Sequence, residues 1–361
     1  MDATAGLSVG RTLIIHIGDH KTGSTTIQHA LAQGRVRLNG ETPFYGAALN
    51  HNDLPRLAND IDTKAAVSVF TALAANMAQS ASKVAVLSAE EFESFSPSVV
   101  RAMLDRHLGD QFDRVRIVAY VRPHVQRLVS NYAEGTKIGV FSGDLEAYAR
   151  LSGSRKQFLY TPRFLAWRKV FGDDFILRPA IRSEMRGGDI LHDMFASTLG
   201  DVDLSIEAAK IQNESLCLED LMRVKFLHAC LNKRPKRFHH NYGWTLQRLL
   251  GTLPKSDSPT RIAIHKSLAT QVGAFYRKDA VALDKAFFGA KPLMQDALQE
   301  GINGACPQAQ PSDPTEVFSA SELRSLTLSA KMISELLENN AQPWPKFLKN
   351  RRIAAMHQDT P

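Results

Sequence analysis

Residues 12–26 read Thr-Leu-Ile-Ile-His-Ile-Gly-Asp-His-Lys-Thr-Gly-Ser-Thr-Thr, an apolar run that enters a loop punctuated by Gly18 and Gly23. The backbone N–H groups of such a turn, with those of the helix that follows, suit a phosphate or sulfate group. The position of the lysine decides which ligand fits. A nucleoside-triphosphate loop reads Gly-x-x-x-x-Gly-Lys-Ser/Thr, with the lysine after the second glycine and the hydroxyl on magnesium. Gly18 and Gly23 keep that spacing, but Ser24 stands where the lysine would be and Lys21 lies inside the loop. Ser24, Thr25 and Thr26 add hydroxyl donors at the helix start. The loop suits an oxyanion and makes a poor ATPase.

A second segment carries complementary chemistry. Arg114 to Tyr120 reads Arg-Val-Arg-Ile-Val-Ala-Tyr, a buried-strand pattern that ends in Arg122-Pro123. Proline is tolerated in a first helical turn, and Val125, Leu128, Val129 and Tyr132 continue at helical spacing. Ser130 then lies two turns into that helix, about 10 Å along at ~1.5 Å per residue. Arg122 and Ser130 can therefore hold one phosphate between a charged fork and a hydroxyl.

The two segments together resemble the sulfotransferases that use 3′-phosphoadenosine 5′-phosphosulfate (PAPS). Lys21-Thr22-Gly23-Ser24-Thr25 resembles their 5′-phosphosulfate loop, Lys-Thr-Gly-Thr-Thr, departing only by serine for threonine. Arg122 and Ser130 resemble the strand-end arginine and helical serine that bind the cofactor's 3′-phosphate at the same separation. Val84-Ala-Val-Leu-Ser-Ala-Glu90 is similar to the second strand of bacterial sulfotransferase-like proteins, which often ends in Ser-x-Glu. Asn213-Glu214-Ser215-Leu216 and the punctuations near Gly172 and Gly200 look like that group too. The specific motifs cover roughly residues 12–140. The resemblance implies transfer of a sulfuryl group from PAPS to a hydroxyl of a carbohydrate or glycoconjugate, glycolipids included. The product would be 3′,5′-adenosine bisphosphate, and no metal would be required. It places Lys21, Thr22, Gly23, Ser24, Thr25, Thr26, Arg122 and Ser130 on the cofactor.

Sulfuryl transfer resembles phosphoryl transfer, in which the protein mainly supplies position and positive charge. Lys21 is expected to stabilise charge near the leaving bridge oxygen. The acceptor also needs a base. Glu90 leads, because glycan sulfotransferases often place a glutamate near that strand end. Adjacent residues of a strand point to opposite faces, so only one of Glu90 and Glu91 should face the site. His51, in Asn50-His51-Asn52, comes next because an imidazole titrates near neutrality. His20 is third, and His16, inside the apolar run, reads as a core histidine. Lys137 and Gly139 are expected to border the cofactor's exit.

The 361 residues suffice for a large core, and 44% of them are hydrophobic. A formal net charge of +7 and a pI near 9.3 suit a polyanionic ligand. Nucleic acid is not expected, because basic residues are spread along the chain without a zinc-finger or RNA-recognition signature. Lys233-Arg-Pro-Lys-Arg237 reads as a solvated loop or as a patch for an anionic glycan or lipid head group, which leaves peripheral membrane contact open. Lys346 to Arg352 carries the same two readings. Cys217, Cys230 and Cys306 lack metal-ligand spacing, and their odd number suits a reducing compartment. With no signal-like N-terminus and no run near the ~20 apolar residues of a membrane span, a cytoplasmic protein is expected. Oligomeric state is left open.

The elements that must position these residues follow from periodicity. Strand-like runs near 12–17, 83–88, 115–121 and 174–178 alternate with helix-like stretches at 24–38, 64–80, 97–108, 123–138 and 188–199. The alternation predicts an α/β fold with a mostly parallel sheet flanked by helices, and the resemblance implies that it is of P-loop type. Beyond residue 205 the pattern turns helical at 214–232, 243–252, 260–288 and 319–338, and Gly301–Pro314 reads as a loop. The expected division is a flexible N-terminus (1–10), an α/β PAPS-binding core (11–204), a largely helical C-terminal cap (205–340) and a tail (341–361). In parallel sheets ligands sit beyond the carboxyl ends of the strands, where Gly18–Thr26, Glu90 and Arg122 all fall. Two other readings remain: a P-loop kinase or NTPase, and a non-catalytic nucleotide- or anion-binding module.

Overall fold

A computed structural model of the chain describes residues 10–208, 215–254 and 258–338, with 346, 349, 350, 353 and 354. The first nine residues, Asn213 and Glu214 of the Asn-Glu-Ser-Leu run, and most of 341–361 lie outside the described residues. In chain order the elements are β1 (Thr12–His16), α1 (Ser24–Ala32), β2 (Val36–Leu38), α2 (Leu54–Asn59), α3 (Lys64–Gln79), β3 (Val84–Ser88), α4 (Pro97–Met103) and β4 (Arg114–Val121). They continue with α5 (His124–Lys137), α6 (Leu145–Ser154), α7 (Tyr160–Phe171), β5 (Phe175–Pro179), α8 (Ile190–Leu199) and β6 (Leu204–Ile206). The last are α9 (Leu218–Cys230), α10 (Lys236–Leu250), α11 (Lys266–Phe287), α12 (Leu293–Asn303) and α13 (Ala320–Glu338).

These elements form two compact units that interleave along the chain. One comprises Met1–Pro123, Leu159–Ala209 and Asp279–Met294, and the other His124–Phe158, Lys210–Lys278 and Gln295–Pro361. The first unit thus takes residues from both sides of position 204, and α11 and α12 each contribute to both units.

The first unit is an α/β body around a four-stranded parallel sheet of order β3-β1-β4-β5. Its strands are near-continuous apolar runs, as burial on both faces demands. Leu13, Ile14, Ile15, Val86, Leu87, Ile117, Val118 and Ala119 are all fully buried. Ile14, Val86, Val118 and Tyr120 pack with Ile27, Leu31, Ile190, Met194 and Phe195 of α1 and α8. Phe164 and Trp167 of α7 instead stack on Phe175. From β1 the chain moves to β3 on one side, then returns past β1 to β4 on the other, so the strand order reverses between β1 and β4. That switch point is where ligands of open parallel sheets sit.

The first helix is shorter than its sequence pattern. A helix over 24–38 is expected, yet α1 stops at Ala32. Gly34 takes a left-handed φ of 64°, and the Gly34 and Arg35 N–H groups bond back to the Leu31 and Ala30 carbonyls. This is the Schellman closure that glycine permits. Val36 and Leu38 then pair antiparallel with β6. In the second unit the described elements are helices. Leu227, Leu231, Phe238, Tyr242, Ala330 and Leu337 form a core among α9, α10 and α13.

One charged group lies deep in the first unit. Asp193 of α8 is fully buried and accepts two bonds from the Arg178 guanidinium (2.6 and 2.9 Å), one from the Tyr120 hydroxyl (2.8 Å) and one from the Arg186 N–H (3.0 Å). Burial pushes its pKa up, but these four donors outweigh it and hold the carboxyl below its usual range. Breaking such a pair from one side leaves an uncompensated buried charge. Asp193→Asn should cost about 3 kcal/mol in urea unfolding, and Tyr120→Phe about 1 kcal/mol. Equal, small losses for both would contradict this ranking.

Candidate active site

The loop after β1 rests on Asp19. Its carboxylate is buried and sits in the fork of Arg163, Nη1 to Oδ1 at 3.0 Å and Nη2 to Oδ2 at 2.9 Å. Its carbonyl accepts the Thr22 hydroxyl at 2.5 Å and the Ser24 hydroxyl at 3.4 Å. Its N–H donates to the Tyr120 carbonyl on β4. Gly18 and Gly23 have φ of 88° and 103°, in the region glycine favours. Both are also sterically confined. A Cβ on Gly18 would come within 3.3 Å of the Glu90 Cα, and one on Gly23 within 2.8 Å of Ile190 Cδ1.

Lys21 adopts a left-handed φ of 64°, a conformation that costs a non-glycine residue on the order of 1–2 kcal/mol. Its carbonyl accepts a bond from Arg122 Nη1 at 2.8 Å. The strand-end arginine and the loop lysine, 101 residues apart, therefore meet at the switch point between β1 and β4. The Arg122 carbonyl in turn accepts the Tyr160 hydroxyl at 3.0 Å. Tyr160 opens α7, whose first N–H groups, Tyr160 and Thr161, donate to the Asp279 carboxylate at 2.9 and 3.0 Å.

Glu90 does not continue β3 but starts a 3-10 turn, Glu90–Ser94. With three residues per turn, positions i and i+3 lie on one side. Glu90 and Glu93 accordingly both face His20. The Glu90 Oε2 is 3.3 Å from His20 Nδ1, and the Glu93 Oε2 accepts the His20 backbone N–H at 3.0 Å and lies 3.8 Å from its Nε2. Glu93 Oε1 pairs with Arg163 Nη1 at 3.0 Å. Glu91 points elsewhere, to Arg56 at 3.7 Å. Burial pushes the Glu90 pKa up, but bonds to His20 and Ser24 and the charge of Lys21 win and lower it. Glu90 is thus a settled carboxylate.

His51 is placed differently from the expectation. Its Nδ1 accepts the Ser88 N–H at 3.1 Å and its Nε2 donates to the Tyr45 carbonyl at 3.0 Å. Both ring nitrogens serve the backbone, so His51 ties the segment before α2 to β3. Burial depresses its pKa, which fits a neutral ring. His16 is fully buried, with Nδ1 2.8 Å from the Ser88 hydroxyl, and burial holds its pKa down to about 4. The Thr22 hydroxyl turns inward to brace the loop. Thr25 and Thr26 are exposed on the first turn of α1. Ser130 lies on α5 in the second unit, partly buried. Lys137, in that same unit, is spent on Glu134 (2.7 Å), Gln247 (2.8 Å) and the face of Trp244 (3.3 Å to the centroid), which fixes it structurally.

Sequence reasoning missed Asp19, Glu93 and Arg163. An acid inside an anion loop was itself a signal, since it demands a cation. Nothing local marks Arg163 as that cation, 144 residues away. No family model, curated protein or solved structure matches this chain.

Two outcomes follow. Arg163→Gln leaves Asp19 and Glu93 without their shared fork and should cost about 3 kcal/mol of stability; a denaturation midpoint unchanged from wild type would overturn the fork's role. The buried histidines also impose a pH limit. The His16 ring titrates lower in the folded chain, about 4, than in the unfolded chain, 6.5. Its contribution is complete above the unfolded value and is lost as pH falls from about 6.5 through 4. That loss is on the order of 3 kcal/mol. Urea midpoints should fall across this window, and fall less in His16→Gln.

Proposed function

We propose that the chain is a PAPS-dependent sulfotransferase of P-loop type, moving a sulfuryl group to a hydroxyl of a carbohydrate or glycoconjugate acceptor. The observation that carries the reading is the bond from Arg122 to the Lys21 carbonyl at the strand-order reversal. It joins the two sequence segments that resemble, separately, the 5′-phosphosulfate loop and the 3′-phosphate site. Their meeting supports a common ligand.

In this reading Lys21 and the first N–H groups of α1 face the transferring group, where charge develops on the leaving bridge oxygen. Ser24, Thr25 and Thr26 lie along the first turn of that helix, and Gly23 supplies the left-handed turn that leads into it. Arg122, which the resemblance assigns to the 3′-phosphate, lies beside the Lys21 carbonyl in the same unit. Bound PAPS would supply a sulfuryl group on a good leaving group. The chain itself positions it, neutralises its charge and takes the acceptor's proton. The expected acceptor class, a glycan or glycolipid hydroxyl, rests on the resemblance. Among the described residues no helix is long and apolar enough to cross a membrane.

Calorimetric titration tests the cofactor class directly. The wild-type chain should bind 3′,5′-adenosine bisphosphate at least about 10-fold more tightly than AMP, since a charge-assisted phosphate contact is worth ~1.5–3 kcal/mol. Arg122→Ala should erase that preference. A preference for Mg-ATP would support a kinase or NTPase instead, and binding of none of the three would leave the sulfotransferase reading without support.

A further inference from the structure

Three imidazoles and four carboxylates, those of Asp19, Glu90, Glu91 and Glu93, lie near the carboxyl ends of β1 and β3, and their surroundings separate them. His16 is wholly enclosed, and both nitrogens of His51 are committed to the backbone. Glu91 is turned to Arg56. Glu90 is held as a carboxylate by three partners at the loop. His20 differs from all of these: its side chain is 40% exposed, it directly precedes Lys21, and its backbone is pinned by Glu93.

The ring of His20 lies between two acids. Nδ1 is 3.3 Å from Glu90 and Nε2 is 3.8 Å from Glu93. With Nδ1–H directed at Glu90, Nε2 is the basic atom, and an imidazolium formed there is flanked by a carboxylate on each side. Opposite charges within ~4–6 Å favour the charged ring. The other charged groups around it are Lys21 and Asp19 on its own loop, Arg163 of α7 bonded to both Asp19 and Glu93, and Arg122 at the Lys21 carbonyl.

We propose that His20 is the catalytic base of sulfuryl transfer, with Glu90 and Glu93 as positioning residues that orient its ring and stabilise the imidazolium. This rests on the sulfotransferase reading and deepens it. The acceptor oxygen attacks sulfur as its O–H proton passes to His20 Nε2. The new O–S bond forms while the bond from sulfur to the bridging phosphate oxygen breaks, and that oxygen keeps the electron pair. With water as acceptor the products are sulfate and 3′,5′-adenosine bisphosphate.

The test uses the full chain and sulfur-labelled PAPS, with water as the acceptor, over pH 5.5–8.5. Binding of the bisphosphate is measured alongside, and unfolding midpoints check that variants fold. His20→Ala should lower sulfate release by about 10²-fold or more while changing bisphosphate affinity less than threefold, and added imidazole should restore part of the rate. A purely structural role would not be rescued in this way. The acid limb of the pH–rate profile should vanish in His20→Ala and move about one pH unit lower in Glu90→Gln. If His20→Ala folds poorly, His20→Gln is read by the same limb. The proposal falls if His20 variants keep rate and limb, if Glu90→Gln abolishes the limb, or if wild-type protein binds the bisphosphate yet releases no sulfate. Failure of the wild-type chain to bind the bisphosphate would instead bring down the sulfotransferase reading, and this proposal with it.

Discussion

A buried carboxylate must be paired, because an isolated charge in the interior costs several kcal/mol. Asp19 meets that requirement with the fork of Arg163, and the rest of the site is arranged around the bond. Holding Asp19 in place fixes a carbonyl that collects the hydroxyls of Thr22 and Ser24, which sets the curve of the loop. Lys21 and His20 lie on that curve. Arg163 also holds Glu93, which pins the backbone of His20 from the other side. One guanidinium thus ties the loop after β1 to the turn after β3, and the planar, bidentate geometry of arginine suits it to two acids at once.

Much of the first unit could be read directly from the sequence. Strands buried on both faces leave continuous apolar runs, and all four strands of the parallel sheet stand where such runs were read. The limits of the reading came from glycine and from distance. Gly34 ends α1 early through a backbone conformation that hydrophobic spacing does not encode. Glu90 opens a 3-10 turn where a strand end was expected, and only that geometry aligns Glu93 with it. Lys21 and Arg122 were singled out because each belongs to a local pattern. Arg163 belongs to none: it sits on an ordinary helix and acquires its role through tertiary contact alone. His51 shows the same limit, since an Asn-His-Asn run looks reactive until both its ring nitrogens are seen to serve Ser88 and Tyr45.

The histidines of the first unit also show how location outweighs residue type. His16 and His51 lie on buried backbone, and burial depresses both pKa values, so both serve as neutral connectors. His20 is two-fifths exposed and faces acids. The same ring is a structural pin in one setting and a candidate proton acceptor in another, within a few residues of sequence.

The interleaving of the two units bears on how the chain is made. The N-terminus of α7, from which Tyr160 reaches Arg122 and Arg163 reaches Asp19, is capped by Asp279, 119 residues further on. A ribosome adding roughly 5–20 residues per second takes about 6–24 s to cover that interval. During it the loop, the sheet and α7 exist without the carboxylate that closes α7. The helix that carries the site's anchor is finished only once α11 has emerged, so the α/β body cannot be completed as an N-terminal piece ahead of the rest of the chain.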